Sequence, residues 1–133
     1  MKLSTKSEYA CLAMIELSAN YGRGLLTIQT IAERRNIPKK FLEQILLFLK
    51  TGGYVQSRKG STGGYQLAKP PEQISLADVV RLMDGALAPV GSVSEYFYEH
   101  TPIENSPKLI RIFGDIRDFI AQKMETTTFA DLI

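Results

Sequence analysis

The sequence predicts a mostly α-helical fold with one small β-hairpin (α+β). Apolar residues recur at three- and four-residue spacing in five stretches that are bounded by capping residues, glycine or proline. Two short runs with alternating apolar residues, YVQSR and GYQLA, lie close together near the middle of the chain. Because the chain has 133 residues and a hydrophobic content of 44%, we expect one domain with its own core.

Two helices are predicted before the first proline. Residues 5–8 have the Thr-Lys-Ser-Glu pattern of a capping box, and the apolar-rich run 9–17 follows it. The Gly-Arg-Gly segment that starts at Gly22 is expected to end this helix. Thr27 is suited to cap a second, short helix that stops near Asn36.

A third helix is predicted from Pro38, whose missing amide hydrogen costs nothing in a first helical turn, to about Thr51. Its inward stripe consists of Leu42, Ile45, Leu46 and Leu49. Another face carries Lys40, Glu43, Gln44, Leu47 and Thr51, and Leu47 is the misfit among them. A short helix, a tight turn and a second helix form a helix-turn-helix, although an ordinary amphipathic helical hairpin has the same pattern.

The segment RKGSTGGYQLA comes shortly after the third helix. Three glycines in five residues let a loop backbone approach another molecule very closely. Because the two strand-like runs flank this tip, we predict a β-hairpin directly after the helix-turn-helix, which is the order of a winged helix. Arg58 and Lys59 at the base of the tip are suited to neutralise phosphates or to enter a narrow minor groove.

A phosphate-cradling nucleotide loop is the competing interpretation of these glycines. We reject it because no Gly-Lys-Ser/Thr follows them and no helix N-terminus is expected behind them. The uneven charge favours a nucleic acid instead: residues 1–69 carry eleven Lys or Arg against four Glu, and the remainder carries five against ten acids. We expect the first half to meet a polyanion, with a merely solvated basic surface as the alternative.

A fourth helix is predicted after the wing. Residues 75–78 form another capping box, Ile74 is placed to pack on Val79, and Gly85 ends the helix. The following segment, 86–105, shows no clear periodicity. An irregular stretch of about twenty residues in a small domain is typical of a functional or mobile loop.

The Ser-Pro pair at 106–107 predicts the start of a long last helix. Its apolar stripe consists of Leu109, Ile112, Phe113, Ile116, Phe119, Ile120 and Met124. Such a stripe either covers the core or pairs with a second copy, and we predict pairing into a two-fold dimer. In the final segment TTTFADLI, Thr128 and Asp131 are suited to cap one last turn that Phe129 and Leu132 anchor.

Cys11 is the only cysteine, which excludes an intrachain disulfide and a metal cage made of cysteines alone. We expect an inert buried thiol, with redox sensing as the alternative. The N-terminal segment lacks the long apolar core of a signal peptide or a membrane span, so we expect a cytoplasmic protein. No Ser-His-Asp set, Cys-His pair or metal-ligand spacing occurs, and an enzyme is therefore not predicted.

Five segments of the chain together resemble one known family. MKLSTKSEYA, FLEQIL, SRKGSTGGYQLA, ISLADVVRLMDG and TTTFADLI are similar to segments of the Rrf-two family of bacterial winged-helix transcription regulators. The likeness covers most of the chain and is patchy only in 86–105. The specific part of this resemblance is the pairing of LEQ with GGYQLA in that order and spacing.

The resemblance implies a homodimer joined through the last helix, with recognition helices in successive major grooves and wings in the flanking minor grooves. The third helix would bring Glu43 and Gln44 to base edges, where glutamine pairs with adenine and glutamate accepts from cytosine. The DNA-contacting residues implied in this way are Lys2, Lys39, Lys40, Glu43, Gln44, Arg58, Lys59, Ser61, Thr62 and Gly63.

The chain also departs from part of that family. Members that sense iron or nitric oxide carry three cysteines after the fourth helix, where thiolates hold an iron–sulphur cluster. This chain has no cysteine there, and the single His100 is more typical of a solvated side chain than of a ligand. It resembles the cluster-free members, which include the repressors of cysteine metabolism, and we expect neither a cofactor nor a metal.

The cluster-free members answer to a partner protein or a small metabolite. We expect an effector or partner surface in 87–105, formed by Tyr96, Phe97, Tyr98 and His100. The alternative is that the three aromatic residues pack against the dimer helix.

The sequence thus predicts a DNA-binding domain (1–85), an effector loop (86–105) and a dimerisation helix with its tail (106–133). The predicted function is sequence-specific binding of double-stranded DNA as a transcriptional repressor. A winged-helix module that binds proteins or senses a metabolite without specific DNA binding is the alternative.

Overall fold

A computed structural model describes residues 1–133. Its helices and strands are α1 (Thr5–Ala19), α2 (Ile28–Arg35), α3 (Lys39–Thr51), β1 (Val55–Arg58), β2 (Gly64–Leu67), α4 (Leu76–Asp84) and α5 (Pro107–Thr126). Short 3₁₀ turns lie at Pro71–Gln73, Gly91–Val93, Pro102–Asn105 and Phe129–Leu132. The mostly α-helical fold with one antiparallel hairpin is confirmed.

Three of the predicted helix starts are present. The hydroxyl of Thr27 accepts the amide three residues later at 3.1 Å. Ser75 and Asp78 form the reciprocal capping box at 3.0 and 2.9 Å. Ser106 caps α5, and Pro107 is its first residue. Local side-chain capping of orphan amides is therefore enough to place these three starts.

The capping box predicted at residues 5–8 is wrong, because Ser4 rather than Thr5 caps α1. The Ser4 hydroxyl accepts the amide of Ser7 at 3.0 Å. Ser4 also donates its own amide, at 3.0 Å, and its hydroxyl to the carboxylate of Asp84. Burial acts to raise the pKa of Asp84, but these hydrogen bonds outweigh it and lower that pKa. The hydrogen bonds to Asp84, at the end of α4, therefore determine which residue caps α1. No pattern in the sequence around Ser4 indicates these hydrogen bonds.

Two other helix boundaries differ slightly from the prediction. The α1 helix ends at Ala19 with Asn20 as its cap, before the glycines are reached. Pro38 lies just before α3 and not within its first turn. Its carbonyl already accepts the amide of Leu42 at 2.9 Å, while its own backbone stays extended. Asn36 ends α2 in the left-handed conformation, close to the predicted position.

The core is built around the predicted stripe of α3, whose four residues are fully buried. They pack in one cluster with side chains of α1, α2 and the hairpin: Ala10, Ala13, Met14, Leu17, Ile31, Val55 and Leu67. Because one face of α3 is covered in this way, its other face is fixed toward the outside.

The C-terminal tail returns to this same core. Phe129 is completely buried in the main cluster, and its amide donates to the carbonyl of Ile74 at 3.0 Å. Thr128 and Asp131 form the predicted cap. The anchoring role predicted for Leu132 is wrong: this side chain is 39% exposed, since the short turn presents only its first residue to the core. The division of the chain at 85 and 105 stays a prediction.

The α5 helix lies on α4 with no fully buried residue of its own. A small second cluster of Ala77, Val80 and Leu87 receives Ile120 and Met124 from α5. The segment 86–105 is irregular, as predicted, apart from its two short turns. None of the helices has both the length and the apolar character required to cross a membrane.

We expect Phe129→Ala to lower the free energy of unfolding by about 3–5 kcal/mol, because it removes a fully buried aromatic ring from the core. Leu132→Ala is the matched control from the same turn and should change it by less than about 1 kcal/mol. Urea denaturation followed by circular dichroism measures both values. Equal effects of the two substitutions would contradict the assignment of Phe129 as the anchor of the tail.

Candidate nucleic-acid interface

The α3 helix and the tip of the hairpin form two sides of one open groove of about 590 Å³, here called the wing groove. The α3 side is lined by Glu43, Leu46, Leu47 and Lys50, and the hairpin side by Ser57, Arg58, Lys59, Gly60, Ser61, Gly63, Gly64 and Tyr65. Thr27 and Ile28, from the start of α2, complete the lining. The predicted wing thus lies beside the predicted recognition helix.

The outward face of α3 carries the residues predicted to read bases. Lys40, Gln44, Leu47 and Thr51 follow one another at helical spacing on this face, and Glu43 lies on the side toward the wing. All five residues are exposed. Lys39 is also exposed but lies about 100° around the helix from Lys40. The face therefore presents one ammonium, one carboxylate and one amide group in its first half, followed by the leucine side chain and then the hydroxyl of Thr51.

The cations predicted to contact DNA have no acidic partner. Lys39, Lys40, Arg58 and Lys59 are exposed and take part in no ion pair. By contrast, Arg34 and Arg35 pair with Glu16 at 3.4 and 2.7 Å, so these two cations of the basic half join α2 to α1. With Lys50, five cations that form no ion pair therefore lie on α3 and the wing.

The hairpin is held in place by backbone contacts. The β1 and β2 strands pair from Val55 opposite Leu67 to Arg58 opposite Gly64. A Cβ on Gly63 would overlap the carbonyl of Arg58, and one on Gly64 would lie 2.5 Å from the carbonyl oxygen of Leu26. Only glycine allows these two approaches of backbone to backbone.

Sequence reasoning missed the segment that anchors the hairpin. Leu26 exchanges two backbone hydrogen bonds with Tyr65, at 2.9 and 2.7 Å, and so extends the hairpin by one bridge. The only sequence signal is the apolar pair at 25–26 between a glycine and the cap of α2. This bridge brings the first turn of α2 to the wing groove, so the expectation that no helix begins near these glycines is wrong. A nucleotide-binding loop is still rejected, because no Gly-Lys-Ser/Thr follows the glycines. In addition, one backbone amide of the first turn of α2 already donates to the Thr27 hydroxyl.

A second edge of α3 is held by aromatic contacts with α1, which sequence reasoning also missed. The rings of Phe41 and Tyr9 meet edge to face with centroids 5.5 Å apart. The Nζ atom of Lys6 lies 3.6 Å from the ring centroid of Phe48. These pairs lie on the flank of α3 away from the wing and fix its position on α1.

Lys2 is the one predicted DNA contact that lies elsewhere. It lines a separate cavity of about 760 Å³ between the N-terminal segment, the end of α4 and the helix α5. The structure does not bring Lys2 to the wing groove, and its contact with DNA stays a prediction.

The predicted effector residues also lie apart from the wing groove. Tyr96, Phe97, Tyr98 and His100 are all exposed in the segment between α4 and α5. Tyr98 donates a hydrogen bond to Glu104, which raises the pKa of the Tyr98 hydroxyl and lowers that of the Glu104 carboxyl. An effector role for these residues stays a prediction.

Comparisons with known proteins identify the family to which this chain belongs. Residues 3–133 match the model of the Rrf2 family, which is described as "Iron-dependent Transcriptional regulator". The chain belongs to the Rrf2 family. This confirms the Rrf-two resemblance drawn from the sequence.

Similar members of the Rrf2 family span nearly the whole chain. The transcriptional regulator CymR of Bacillus subtilis is 32% identical over 132 residues, which cover 99% of this chain and 89% of that protein. The putative regulator Rv1287 of Mycobacterium tuberculosis is 35% identical over 133 residues, covering 99% of this chain and 81% of that one.

Two solved structures have the same winged-helix fold. CymR of B. subtilis, the global cysteine regulator of that bacterium, aligns with a TM-score of 0.81 over 99% of this chain and 95% of its own. The oxidized form of Staphylococcus aureus CymR, 31% identical, gives a TM-score of 0.81 over 99% of this chain and 95% of its own. The chain is therefore a DNA-binding transcriptional regulator and not an enzyme, and it is similar to the cysteine-metabolism type within the Rrf2 family.

The residues of this chain do not fit the iron centre that the Rrf2 description implies. No group of three His, Cys, Asp or Glu side chains is placed to hold a metal ion. Cys11 lies on α1, half-buried, where burial first, and then the charges of Asp84 and Glu8, raise its pKa to about 11. Because metal ligation needs the thiolate, this thiol is a poor ligand near neutral pH.

We expect Gly63→Ala to loosen the wing, because the new methyl group would overlap the Arg58 carbonyl. Amides of the hairpin should exchange with solvent about 5- to 150-fold faster, corresponding to a local cost of about 1–3 kcal/mol. Gly114→Ala is the matched control, since its Cβ would meet nothing within 4 Å. Hydrogen exchange measured by NMR tests this, and unchanged protection at Tyr65 and Leu26 would contradict it.

Proposed function

We propose that this chain is a dimeric, sequence-specific repressor that inserts α3 into the major groove of DNA and its wing into the adjacent minor groove. The observation that carries this proposal is the wing groove, where the unpaired cations Lys50 on α3 and Arg58 and Lys59 on the hairpin lie beside the helix face that bears Glu43 and Gln44. A chain that binds a bacterial chromosome belongs in the cytoplasm.

The outward face of α3 has the chemistry of base reading. The amide of Gln44 can pair with adenine through two hydrogen bonds, and the carboxylate of Glu43 can accept from the amino group of cytosine. Both side chains are exposed, so both are available for DNA. Lys39 and Lys40, the first two residues of α3, supply the charges that would bind phosphates along the groove edge.

The wing has the chemistry of backbone binding. Arg58 and Lys59 supply charge, while Ser61 and Thr62 at the exposed tip supply hydroxyl groups. The tip is narrow because Gly63 packs directly on the backbone of the opposite strand. A thin, cationic loop of this kind suits a minor groove, where the negative potential is strongest when the groove is narrow.

The α5 helix is the proposed dimer surface. Its apolar residues are only partly covered by the chain itself, and Phe119 is 73% exposed while Ile112 is 55% exposed. The residues proposed for this surface are Leu109, Ile112, Phe113, Ile116, Phe119 and Ile120. Pairing around a two-fold axis would place two α3 helices toward successive major grooves, about 34 Å apart.

The segment 86–105 is the proposed surface for a partner protein or small metabolite. The guanidinium of Arg81 lies over the ring of Tyr96, with 5.2 Å between the Arg81 Cζ atom and the ring centroid. Arg81 in turn pairs with Glu125 of α5 at 2.7 Å. A ligand at Tyr96 would therefore meet α4 and α5 together. The cysteine regulator CymR has the same architecture, which supports an effector linked to sulphur metabolism as the first class to test.

Selection of bound fragments from random duplex DNA, with the purified chain, is the direct test of this function. A palindromic consensus sequence is the expected result, because a two-fold dimer reads two equal half-sites. Binding that shows no sequence preference, and that barely depends on salt, would favour a protein-interaction module instead.

We expect Lys59→Ala to weaken binding to every DNA sequence and to reduce the slope of log affinity against log salt by about 1. Lys123→Ala removes the same charge on α5, away from the wing groove, and should leave that slope unchanged.

Gln44→Ala should make the free energy of operator binding less favourable by about 1–3 kcal/mol and relax the preference at one base position. Fluorescence anisotropy with a panel of operator variants measures all three, and a uniform loss for Gln44→Ala would rule out base reading by this side chain.

We expect Phe119→Glu to convert a dimer into a monomer, since two buried glutamates would meet near the two-fold axis. Gln122→Glu adds the same charge at another exposed position of α5 and should keep the dimer. Sedimentation equilibrium gives both masses. A wild-type monomer at all concentrations, or a Phe119→Glu dimer of unchanged strength, would remove α5 as the dimer surface.

A further inference from the structure

We propose that Leu47 selects thymine in the operator by contact with the C5-methyl group of that base. This inference rests on the proposed docking of α3 in the major groove and adds a base preference that hydrogen-bonding residues do not provide.

The exposure of Leu47 motivates the inference. Its residue surface is 64% exposed, whereas Leu42, Leu46 and Leu49 of the same helix are fully buried. Leu47 therefore contributes little to the core, and its apolar surface stays in contact with water in the free protein.

The position of Leu47 separates it from an ordinary surface leucine. Single exposed apolar side chains are common and need no explanation by themselves. Leu47, however, lines the wing groove together with Lys50, Arg58 and Lys59, and it shares its helix face with Gln44. The cations around Leu47 can bind phosphates, but a leucine side chain cannot. Leu47 therefore needs an apolar partner on the DNA.

The DNA major groove offers one apolar partner for such a side chain. Among the groups that base pairs present there, the C5-methyl of thymine is the only alkyl group. A leucine over a cytosine amino group or a guanine carbonyl would remove water from a polar group without replacing its hydrogen bond. The chemistry of Leu47 therefore favours thymine over the other three bases.

Helix geometry places this thymine close to the base that Gln44 reads. Three residues along an α-helix span about 4.5 Å, and successive base pairs are about 3.4 Å apart. For a helix lying along the groove, Leu47 therefore reaches a base pair one or two steps from that of Gln44. The Thr51 hydroxyl donates to the Leu47 carbonyl at 2.9 Å, so the next turn of this face has its polar group engaged within the helix.

The test replaces single thymines of the selected operator by deoxyuridine, which removes only the methyl group. For the wild-type chain, one thymine in each half-site should be sensitive, with affinity falling about fourfold on loss of its methyl. Leu47→Ala should bind the thymine and deoxyuridine operators equally. The exposed position and the high helix propensity of alanine make this variant compatible with folding.

Leu132→Ala is the matched control, because it truncates an exposed leucine of the C-terminal turn, away from α3 and the wing groove. It should keep the fourfold difference between the two operators. Leu47→Met, which restores an apolar side chain of similar size, should restore most of that difference.

The outcomes separate this inference from the proposed function. If the wild-type chain binds its operator but no thymine is methyl-sensitive, or if Leu47→Ala keeps the same sensitivity, the role of Leu47 is wrong while DNA reading by α3 stands. If the wild-type chain fails to bind any duplex, the proposed function fails first. A change of oligomeric state in Leu47→Ala without a change in methyl sensitivity would assign the residue to a protein contact.

Discussion

The buried stripe of α3 is the constraint on which the rest of the structure depends. Leu42, Ile45, Leu46 and Leu49 are fully buried, and each buried leucine or isoleucine side chain contributes about 1.5–3 kcal/mol relative to exposure. A rotation of α3 that turned its outward face inward would expose this stripe and bury Gln44 and Lys40. The hydrophobic core thus decides which side chains are available to a ligand, without any contact to that ligand.

The wing depends on the same core through its backbone. Val55 and Leu67 belong to the main cluster, so the open ends of both strands are anchored next to α3. The bridge between Leu26 and Tyr65 adds a second attachment, at the start of α2. Because the hairpin is fixed at its base and along one side, its cationic tip stays at a defined distance from the outward face of α3.

The sequence predicted those features whose cause is local. Capping by Thr27, Ser75 and Ser106 involves residues three apart, and the stripe of α3 follows from helical spacing alone. The wing was recognised because its glycines and alternating apolar residues are adjacent along the chain.

The features that sequence reasoning missed or misplaced are mostly long-range contacts. Ser4 caps α1 because Asp84, eighty residues later, binds it. Leu26 pairs with Tyr65, and Phe41 with Tyr9, through contacts that no short-range pattern encodes. Leu47 is the instructive case: the pattern marked it as a misfit, and only its place in the wing groove gives that misfit a chemical meaning.

The attachment of α5 explains why so much of its apolar surface stays free. The ion pair of Arg81 with Glu125 is partly exposed and is worth no more than about 1 kcal/mol. Ile120 and Met124 pack against the small cluster on α4, and the Arg117 guanidinium donates to the Val93 carbonyl at 2.8 Å. Ile112 and Phe119 lie outside that contact and stay largely exposed. This uncovered apolar surface on α5 is the observation that supports the proposed dimer, because large exposed apolar patches are typical of protein interaction sites.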